Sequence, residues 1–558
     1  MMRSIVALPV VLAFVFISTA APDARQAPSP SSELASLIER AQRVRPAGRT
    51  ADSYRAAADE WRAIVAAADR IDRTALGLDD QVDYDLLRAH ARTQIFELDE
   101  IKLHEVNPVR YYALGATSRL FLRPGALGDP AVRAAVAELR RLPDVFASGK
   151  ALLKNPARTW TENAIYQAHY ARVLLDEYVP TVETRDPALK QELLAAAADA
   201  RGAVDDFARW LETDLLPRST RSPAWKPSEI EFYQFVQEQL DDYGVDRMLE
   251  IAEAEDAQLM TEMRDLAKKI HPSGDLKTVW EVMKNEAPPW EHVIPMAQDY
   301  VDRASAWLQG DGDHVVTIPD YIDYGARESP PMARRLLSFG GATGGPTVAG
   351  RQSGYYILTP LESILTPEEK ASRIKSYNPY WTHVISYHEW LGHNVQIAAA
   401  NEHVTRPMRR MFRSAYFSQA WSFYLEKLLE DEGYYDTLPY MERLKTQMAR
   451  RQMRMWRVQR ILTKLKMAKG EMTFDQAVQA YVDRIGMERT NAFIEVQRDS
   501  QSPASPGREI IGERVILELR EEYKRRTGPH YTLKRFNDTL LTYGDLPFAQ
   551  IRRLMFRE

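Results

Sequence analysis

A short segment in the second half of the chain has residues whose types and spacing suit metal chemistry. In His388-Glu389-Trp390-Leu391-Gly392-His393, a glutamate follows the first histidine directly and a glycine precedes the second. Imidazole nitrogens bind zinc, and a nearby carboxylate can act as general base toward a metal-bound water. In the HExxH pattern of metallopeptidases, the two histidines are four residues apart on one helix face. Here the spacing is five.

That spacing has a structural consequence. Five residues turn a regular α-helix through about 500°, which leaves the two imidazoles about 140° apart. Both can reach one metal only if the helix contains a π-bulge, a feature concentrated at functional sites. We expect such a bulge, with Gly392 as the point of distortion. The alternative is two unrelated helix histidines, but with eleven histidines in the chain, their placement beside Glu389 and Gly392 favours a metal site.

Composition limits the chemistry further. The chain has no cysteine, which excludes a thiolate zinc site, a cysteine nucleophile and a redox motif. Any metal must therefore be held by His, Asp, Glu or an amide oxygen. The net charge of -5 gives no global reason to bind nucleic acid, and we expect no such partner.

The elements that must position these residues are mainly helices. From Ala51 to Lys269 apolar residues recur at spacings of three and four, which predicts amphipathic helices. The best strand candidates are His314–Ile318 and Tyr355–Leu358. The glycine-rich stretch 339–350 lacks the Gly-Lys-Ser/Thr of a phosphate loop, and is either an active-site lid or an irregular turn. The pattern predicts a mainly α fold with minor β-structure.

The N-terminus has the three parts of a secretory signal peptide. Arg3 precedes the apolar run Ile5–Ile17, and small residues follow at 18–21. The apolar run is shorter than the roughly 20 residues that a membrane span needs. We expect a signal peptide at 1–21, a flexible linker at 22–46 and a helical unit at 47–558, undivided or in two lobes, with the metal site within 380–430. This predicts a periplasmic or extracellular protein without a stable membrane span.

A basic helix is predicted at 442–469, where ten residues are Lys or Arg. Its apolar stripe includes Met448 and Met455, and most of the basic residues are expected on the solvated face. Arg451 falls inside the stripe. A buried arginine needs a partner, so Arg451 either pairs with a core carboxylate or receives a carboxylate of the substrate.

Several motifs resemble one known family. Tyr387-His388-Glu389, Gly392-His393 and Gln396 are similar to a Tyr-His-Glu…Gly-His-His…Gln signature, and 419–426 is similar to a Glu-Gly-Trp-Ala-Leu-Tyr-x-Glu motif. Matching segments elsewhere are 83–88, 517–520 and 536–541. The chain thus resembles the bacterial domain-of-unknown-function 885 family, which is grouped with helical zinc peptidases that include angiotensin-converting enzyme. Dipeptidyl peptidase III has the same histidine spacing, but its flanking residues differ from those here.

The resemblance implies a gluzincin-like helical architecture with a central cleft, and zinc held by His388 and His393. The family's third ligand, a glutamate, corresponds to Gln419, and Asn394 replaces a second family histidine. Two later segments also differ from the family's motifs. Thr463–Met467 stands where the family has Asp-x-Gly-x-His, and Arg508-Glu509 stands where it has Ser-Tyr.

Two functions are consistent with this pattern. The first is a zinc-dependent peptidase that cleaves short peptides, with Glu389 as general base. Tyr355, Tyr356, Tyr424 or Arg451 could then contact the peptide substrate. The second is a catalytically inactive relative that uses the cleft to bind peptides. The intact Glu389 favours the first, whereas the replacements at 419, 463–467 and 509 favour the second. The oligomeric state is open.

Overall fold

The computed structural model describes residues 29–121, 128–334, 339–344, 352–362, 365–504 and 506–558. The expected signal peptide lies outside these residues. The described chain is mainly helical with one small sheet, which confirms the predicted fold class. Among the described helices, none combines the length and apolarity needed to cross a membrane.

The first helices pack against one another at the N-terminal side of the main core. They are α1 (Pro30–Ala41), α2 (Ala51–Ala68) and α3 (Leu78–Phe96). Helix α1 lies inside the segment expected to be a flexible linker, so that expectation is wrong for residues 30–41. Its Ser29 cap accepts a hydrogen bond from the Ser32 N–H, and Leu34, Leu37 and Ile38 are buried in the core.

Nine helices cover the next two hundred residues of the described chain. They are α4 (Leu103–Val106), α5 (Gly115–Arg119), α6 (Gly128–Leu152), α7 (Arg158–Val173), α8 (Pro187–Trp210), α9 (Pro227–Phe232), α10 (Val245–Ile270), α11 (Leu276–Lys284) and α12 (Trp290–Gln309). Residues of 111–215 form a hydrophobic cluster of their own, separate from the larger one that contains the rest of the core.

A three-stranded sheet follows, with the strand order β1-β3-β2. Its strands are β1 (Tyr321–Glu328), β2 (Gly340–Gly344) and β3 (Gln352–Leu358); β3 pairs parallel to β1 and antiparallel to β2. Every residue of β3 is buried, as expected for a central strand covered on both faces. The strand candidate Tyr355–Leu358 is confirmed, but His314–Ile318 forms turns and irregular backbone, so that prediction is wrong.

The glycine-rich stretch is partly a strand. Gly340–Gly344 forms β2, whereas 345–350 lie outside the described residues. Within the described chain, β2 has a neighbour on one side only, and its other edge lies at the cavity described below.

The remaining helices carry the candidate site. They are α13 (Pro367–Ile374), α14 (Pro379–Tyr387), α15 (Val395–His403), α16 (Pro407–Met411), α17 (Ala415–Asp431), α18 (Tyr440–Ala468), α19 (Phe474–Ile485), α20 (Arg489–Ser500), α21 (Ile510–Thr527), α22 (Leu533–Leu541) and α23 (Phe548–Phe556). A π-helical segment, His388–Asn394, joins α14 to α15.

The basic helix α18 is far more buried than its sequence indicates. Arg450, Arg457, Arg460 and Lys464 are all less than a tenth exposed, so the expected solvated basic face is wrong. The physical reason is that carboxylates from other helices compensate these charges. Glu430 of α17, for example, accepts a hydrogen bond from Arg450.

Candidate metal centre

The helix that carries the two histidines changes its hydrogen-bond pattern where they occur. Asn378 caps α14, its side chain accepting a hydrogen bond of 3.1 Å from the Trp381 N–H, and Pro379 occupies the first turn. From His388 to Asn394 the helix is π-helical, and it then continues directly into α15. The expected distortion is confirmed.

The wider π turn brings the two imidazoles together. The ring centroids of His388 and His393 are 5.0 Å apart, with the rings nearly perpendicular at 81°. One ligand atom each from His388, Glu389 and His393 lies within 4.8 Å of the other two. The Nε2 atom of His393 is 3.9 Å from Oε2 of Glu389. Two imidazoles and a carboxylate therefore face one small volume.

Partners on α17 fix the orientation of both imidazoles. Nδ1 of His388 lies 2.6 Å from Oε1 of Glu426, and Nδ1 of His393 lies 3.2 Å from the Ser418 hydroxyl. When the His388 Nδ1–H donates to Glu426, its Nε2 lone pair is left for a metal, as in carboxylate–histidine–zinc arrangements. Burial holds the pKa of both histidines well below the ordinary value, which favours the neutral, metal-binding form.

Helix α17 can supply these partners because it approaches the π segment very closely. Ser418, Ser422 and Glu426 recur every four residues and so lie along one face of α17. A Cβ added to Gly392 would lie 2.7 Å from the Ser422 Cα, a distance that side chains do not tolerate. Gly392 is thus needed for this helix contact, and it also lies within the π segment where the distortion was expected.

Glu389 lies beside both histidines at the wall of a cavity, which is the position that a general base next to a bound metal requires. Its side chain is 14% exposed, and the backbone N–H of Ala342 in β2 donates a hydrogen bond to its carboxylate. Burial raises the pKa of Glu389 to about 7, against the lowering effect of Arg457 and Arg460. A carboxylate of that pKa can both take up and release a proton near neutral pH.

Gln419 lies at the same site. Its Nε2 atom is 3.4 Å from Nε2 of His393, the atom that faces the other candidate ligands. Rotation of the terminal amide by half a turn would present the oxygen instead, and an amide oxygen is a neutral, weaker zinc donor than a carboxylate. Glu426, a buried carboxylate two turns further along α17, is bonded to Nδ1 of His388.

Asn394, which replaces a family histidine, contacts the sheet. Its amide donates to the carbonyl of Tyr355 at 3.3 Å and to that of Glu389 at 3.1 Å. An added Cβ on Gly354 would lie 2.3 Å from the Asn394 Oδ1, so a glycine is needed there for the close contact. Asn394 thus joins the π segment to β3.

The ligand atoms open into a cavity of about 350 Å³. Residues of β2, the π segment, α17, α18 and α20 form its wall, which includes Gly341, Ala342, His388, Glu389, His393, Gln419, Arg457, Arg460, Glu495, Arg498 and Arg508. Four of these are arginines that the sequence interpretation missed. Two features of the sequence could have indicated them. Arg457 and Arg460 are spaced i, i+3 and so share one face of α18, and Arg508 lies in a segment that differs from the family motif.

The four residues expected to contact substrate are not part of that wall. The Tyr355 hydroxyl donates to Asp323 at 2.5 Å. The hydroxyl of Tyr424 accepts from Arg520 at 3.1 Å. Tyr356 is buried, and burial raises its pKa well above the ordinary value, with smaller contributions from Tyr377 and Glu389.

Arg451 also lies elsewhere. Its Nη1 atom is 2.6 Å from Glu430, and its Nε atom is 3.3 Å from Glu262. Of the two roles expected for this arginine, the structure gives it carboxylate partners in neighbouring helices. The physical reason is that α10, which carries Glu262, packs on α18, and that the end of α17 brings the Glu430 side chain within hydrogen-bond distance of Arg451.

The donor set fits zinc. His388, His393 and Glu389 each offer one nitrogen or oxygen atom within 4.8 Å of the other two, and Nδ1 of each imidazole has a hydrogen-bond partner on α17. Catalytic zinc sites have three protein ligands and an open position. His388, His393 and Gln419 would hold the metal here, with Glu389 beside it.

Comparisons with solved structures show the same fold in two other proteins. One, from Shewanella oneidensis, is described as a "putative lipoprotein of unknown function"; it is 19% identical, with a TM-score of 0.71 over 95% of this chain and 100% of its own. The other, described as a "putative lipoprotein" from Colwellia psychrerythraea, is 18% identical, with a TM-score of 0.75 over 95% and 99%. No curated protein matches the sequence.

A family model provides the assignment. The model described as "Bacterial protein of unknown function (DUF885)" matches residues 39–555, which include every helix and strand from α2 to α22 and the whole candidate centre. The chain therefore belongs to the DUF885 family of bacterial proteins of unknown function.

Proposed function

We propose that this protein is a zinc-dependent hydrolase that cleaves short peptides. The observation that carries the proposal is the convergence of His388, His393 and Glu389 at a cavity, with both histidines oriented by α17. The pattern is that of a metallopeptidase helix adapted to a five-residue spacing by a π turn.

Each residue has a role that follows from its position. When bound, zinc supplies Lewis acidity, which polarises a carbonyl and acidifies water. Glu426 holds the His388 ring in one tautomer, and Ser418 orients the His393 ring. Glu389 takes a proton from the attacking water and delivers it to the leaving amine. The Ala342 N–H keeps its carboxylate in place meanwhile.

The edge of β2 supports a peptide as substrate. Among the described residues this strand pairs with no other strand on the side that borders the cavity, where the Ala342 N–H already donates to Glu389 and the neighbouring backbone groups remain. An extended peptide can hydrogen-bond to such an edge, which would place its backbone beside Glu389.

A second candidate function is a peptide-binding module without turnover. The observation in its favour is Gln419, because a neutral amide in place of a carboxylate weakens a zinc site. The two functions differ in whether zinc binds tightly enough to support hydrolysis.

We infer that the protein acts outside the cytoplasm. The segment 1–21 has the pattern of a signal peptide, and the two solved structures named above are each described as a "putative lipoprotein". An exported peptidase would act on peptides in the bacterial envelope or outside the cell.

The test is a digest of mixed short peptides by the zinc-loaded protein, read by mass spectrometry. Glu389→Gln should abolish cleavage and leave zinc content and melting temperature nearly unchanged, because the base is not needed to hold the metal. Glu402→Gln, an exposed carboxylate on α15, is the matched control and should cleave normally. Equal cleavage by Glu389→Gln would remove Glu389 from the mechanism, and no cleavage by the wild type would favour the binding module.

A further inference from the structure

One wall of the cavity is unusually rich in arginine. Arg457 and Arg460 extend from α18, Arg498 comes from α20, and Arg508 precedes α21. None of these positions is adjacent to the metal-binding motif in sequence. Three separate segments therefore bring their guanidinium groups to the cavity that contains the candidate centre.

Buried carboxylates compensate this wall only in part. Arg460 bonds to both Glu495 and Glu509, Arg498 bonds to Glu495 at 2.9 Å, and Arg508 bonds to Glu509 at 3.2 Å. Three arginines thus share two carboxylates. Their ion pairs hold the wall together and leave one positive charge in excess.

Arg457 is the least compensated of the four. It is 5% exposed, its Nε atom has no hydrogen-bond partner, and its Nη1 donates to the Met453 carbonyl of its own helix at 3.2 Å. Its contact with the Glu426 carboxylate is 3.8 Å, too long for a hydrogen bond, whereas the other three arginines each bond to a carboxylate. An unpaired guanidinium nitrogen in a buried position is costly unless a ligand completes its interactions. Because Glu426 also bonds to His388, Arg457 lies one residue away from the candidate centre.

We propose that this arginine wall is a subsite for a carboxylate of the substrate. The inference rests on the proposed function and adds to it a substrate class: short peptides that carry a carboxylate close to the bond to be cleaved. Guanidinium groups suit that ligand because they bind carboxylates through paired hydrogen bonds.

The charge balance favours an anionic ligand. Four guanidiniums face Glu426, Glu495 and Glu509, an excess of one positive charge before a metal is added. Glu389 would offset half of the charge of a divalent ion. The carboxylate could be the C-terminal group of the peptide or an Asp or Glu side chain, and the experiment separates these sources.

The experiment measures binding rather than turnover. Three short peptides of the same neutral sequence are compared: one with a free C-terminal acid, one amidated, and one amidated with a single Glu side chain. Each is titrated by calorimetry into the Glu389→Gln protein at low salt, with and without zinc. We expect a peptide with a carboxylate to bind at least about tenfold more tightly than the neutral amide. Whichever of the two carboxylate-bearing peptides binds more tightly shows whether the subsite takes a C-terminal carboxylate or a Glu side chain.

Variants connect that preference to the wall. Arg498→Gln and Arg508→Gln are suitable because these side chains are about a quarter exposed, so the protein should still fold. Each should reduce the preference several-fold and leave the affinity for the neutral amide unchanged. Arg451→Gln is the control on α18, because Arg451 pairs with Glu430 and Glu262 away from the cavity. It should keep the full preference.

The outcomes separate this proposal from the proposed function. Equal affinity for all three peptides, including no measurable binding of any, would overturn the carboxylate subsite even if cleavage is observed. A preference that survives in both arginine variants would also overturn it. A preference that depends on Arg498 and Arg508 in a protein that neither binds zinc nor cleaves peptides would support the subsite and refute the hydrolase.

Discussion

At the scale of single residues, the candidate centre depends on side chains that do not themselves face the metal position. Glu426 and Ser418 determine which nitrogen of each imidazole is available. Removal of such partners typically lowers metal affinity by about 10- to 100-fold. The spacing of His388, Glu389 and His393 could be read from the sequence, but their partners on α17 could not, since they lie 25 or more residues away.

Gln419 is the proposed third ligand, so its substitution tests whether it contributes to zinc affinity. We expect Gln419→Glu to raise zinc affinity at least several-fold, because a carboxylate adds a negative charge to the ligand set. Gln419→Ala should lower it. Competition with a fluorescent chelator measures all three proteins on one scale. If the three affinities are identical, Gln419 is no ligand, and the third position belongs to another group.

At the scale of elements, the site is a contact between a π-helical segment and α17. The sequence predicted the helical distortion because the histidine spacing requires it, and Gly392 lies within the distorted segment, but the sequence did not predict the contact of Gly392 with α17. The glycine admits the backbone of Ser422. Such an interhelix contact has no local sequence signal, so only the three-dimensional structure shows it.

Gly392→Ala tests this contact. The added Cβ would overlap the Ser422 Cα, so one helix must shift, at a cost of about 1–3 kcal/mol. We expect a lower thermal midpoint together with weaker zinc binding. Gly202→Ala in α8 is the matched control, because an added Cβ there meets nothing within 4 Å. It should leave stability unchanged or improve it by about 0.5–1 kcal/mol. An unchanged midpoint in Gly392→Ala would refute the close-packing explanation.

The basic helix α18 shows why part of the site escaped prediction. From the sequence alone, its arginines are expected on a solvent-exposed face of the helix. The structure buries them, because carboxylates on α10, α17, α20 and α21 pair with them. Arg454, for example, bonds to Glu255 and Glu513, which are 199 and 59 residues away. Helical periodicity predicts the helix itself, but it carries no information about which buried charges a distant segment will neutralise.

At the scale of the whole molecule, ion pairs connect α3, near the N-terminus, to α16 and to the C-terminal helix α23. Asp83 of α3 is 1% exposed and accepts hydrogen bonds from Arg406 at 2.6 Å and Arg409 at 2.9 Å. Asp85 accepts from Arg553 of α23 at 2.8 Å. The family-like motif at 83–88 therefore has a structural role, and it lies outside the cavity wall.

Asp83→Ala should destabilise the fold strongly. Two partly buried arginines would lose a shared carboxylate, and breaking a buried pair in this way costs about 3–5 kcal/mol. Asp52→Ala is the control, because Asp52 is 91% exposed and its pair with Arg55 should contribute less than about 1 kcal/mol. Thermal melting of both variants measures the difference. Equal melting temperatures would show that the Asp83 network does not stabilise the chain.

The central claim is that His388 and His393 form one metal centre, and a calorimetric titration of the metal-stripped protein with zinc tests it most directly. The structure predicts one zinc per chain for the wild type and for Glu389→Gln, and loss of that binding in His393→Ala, because Nε2 of His393 is one of the converging ligand atoms. Absence of zinc binding in the wild type, or the same binding in His393→Ala, would contradict it.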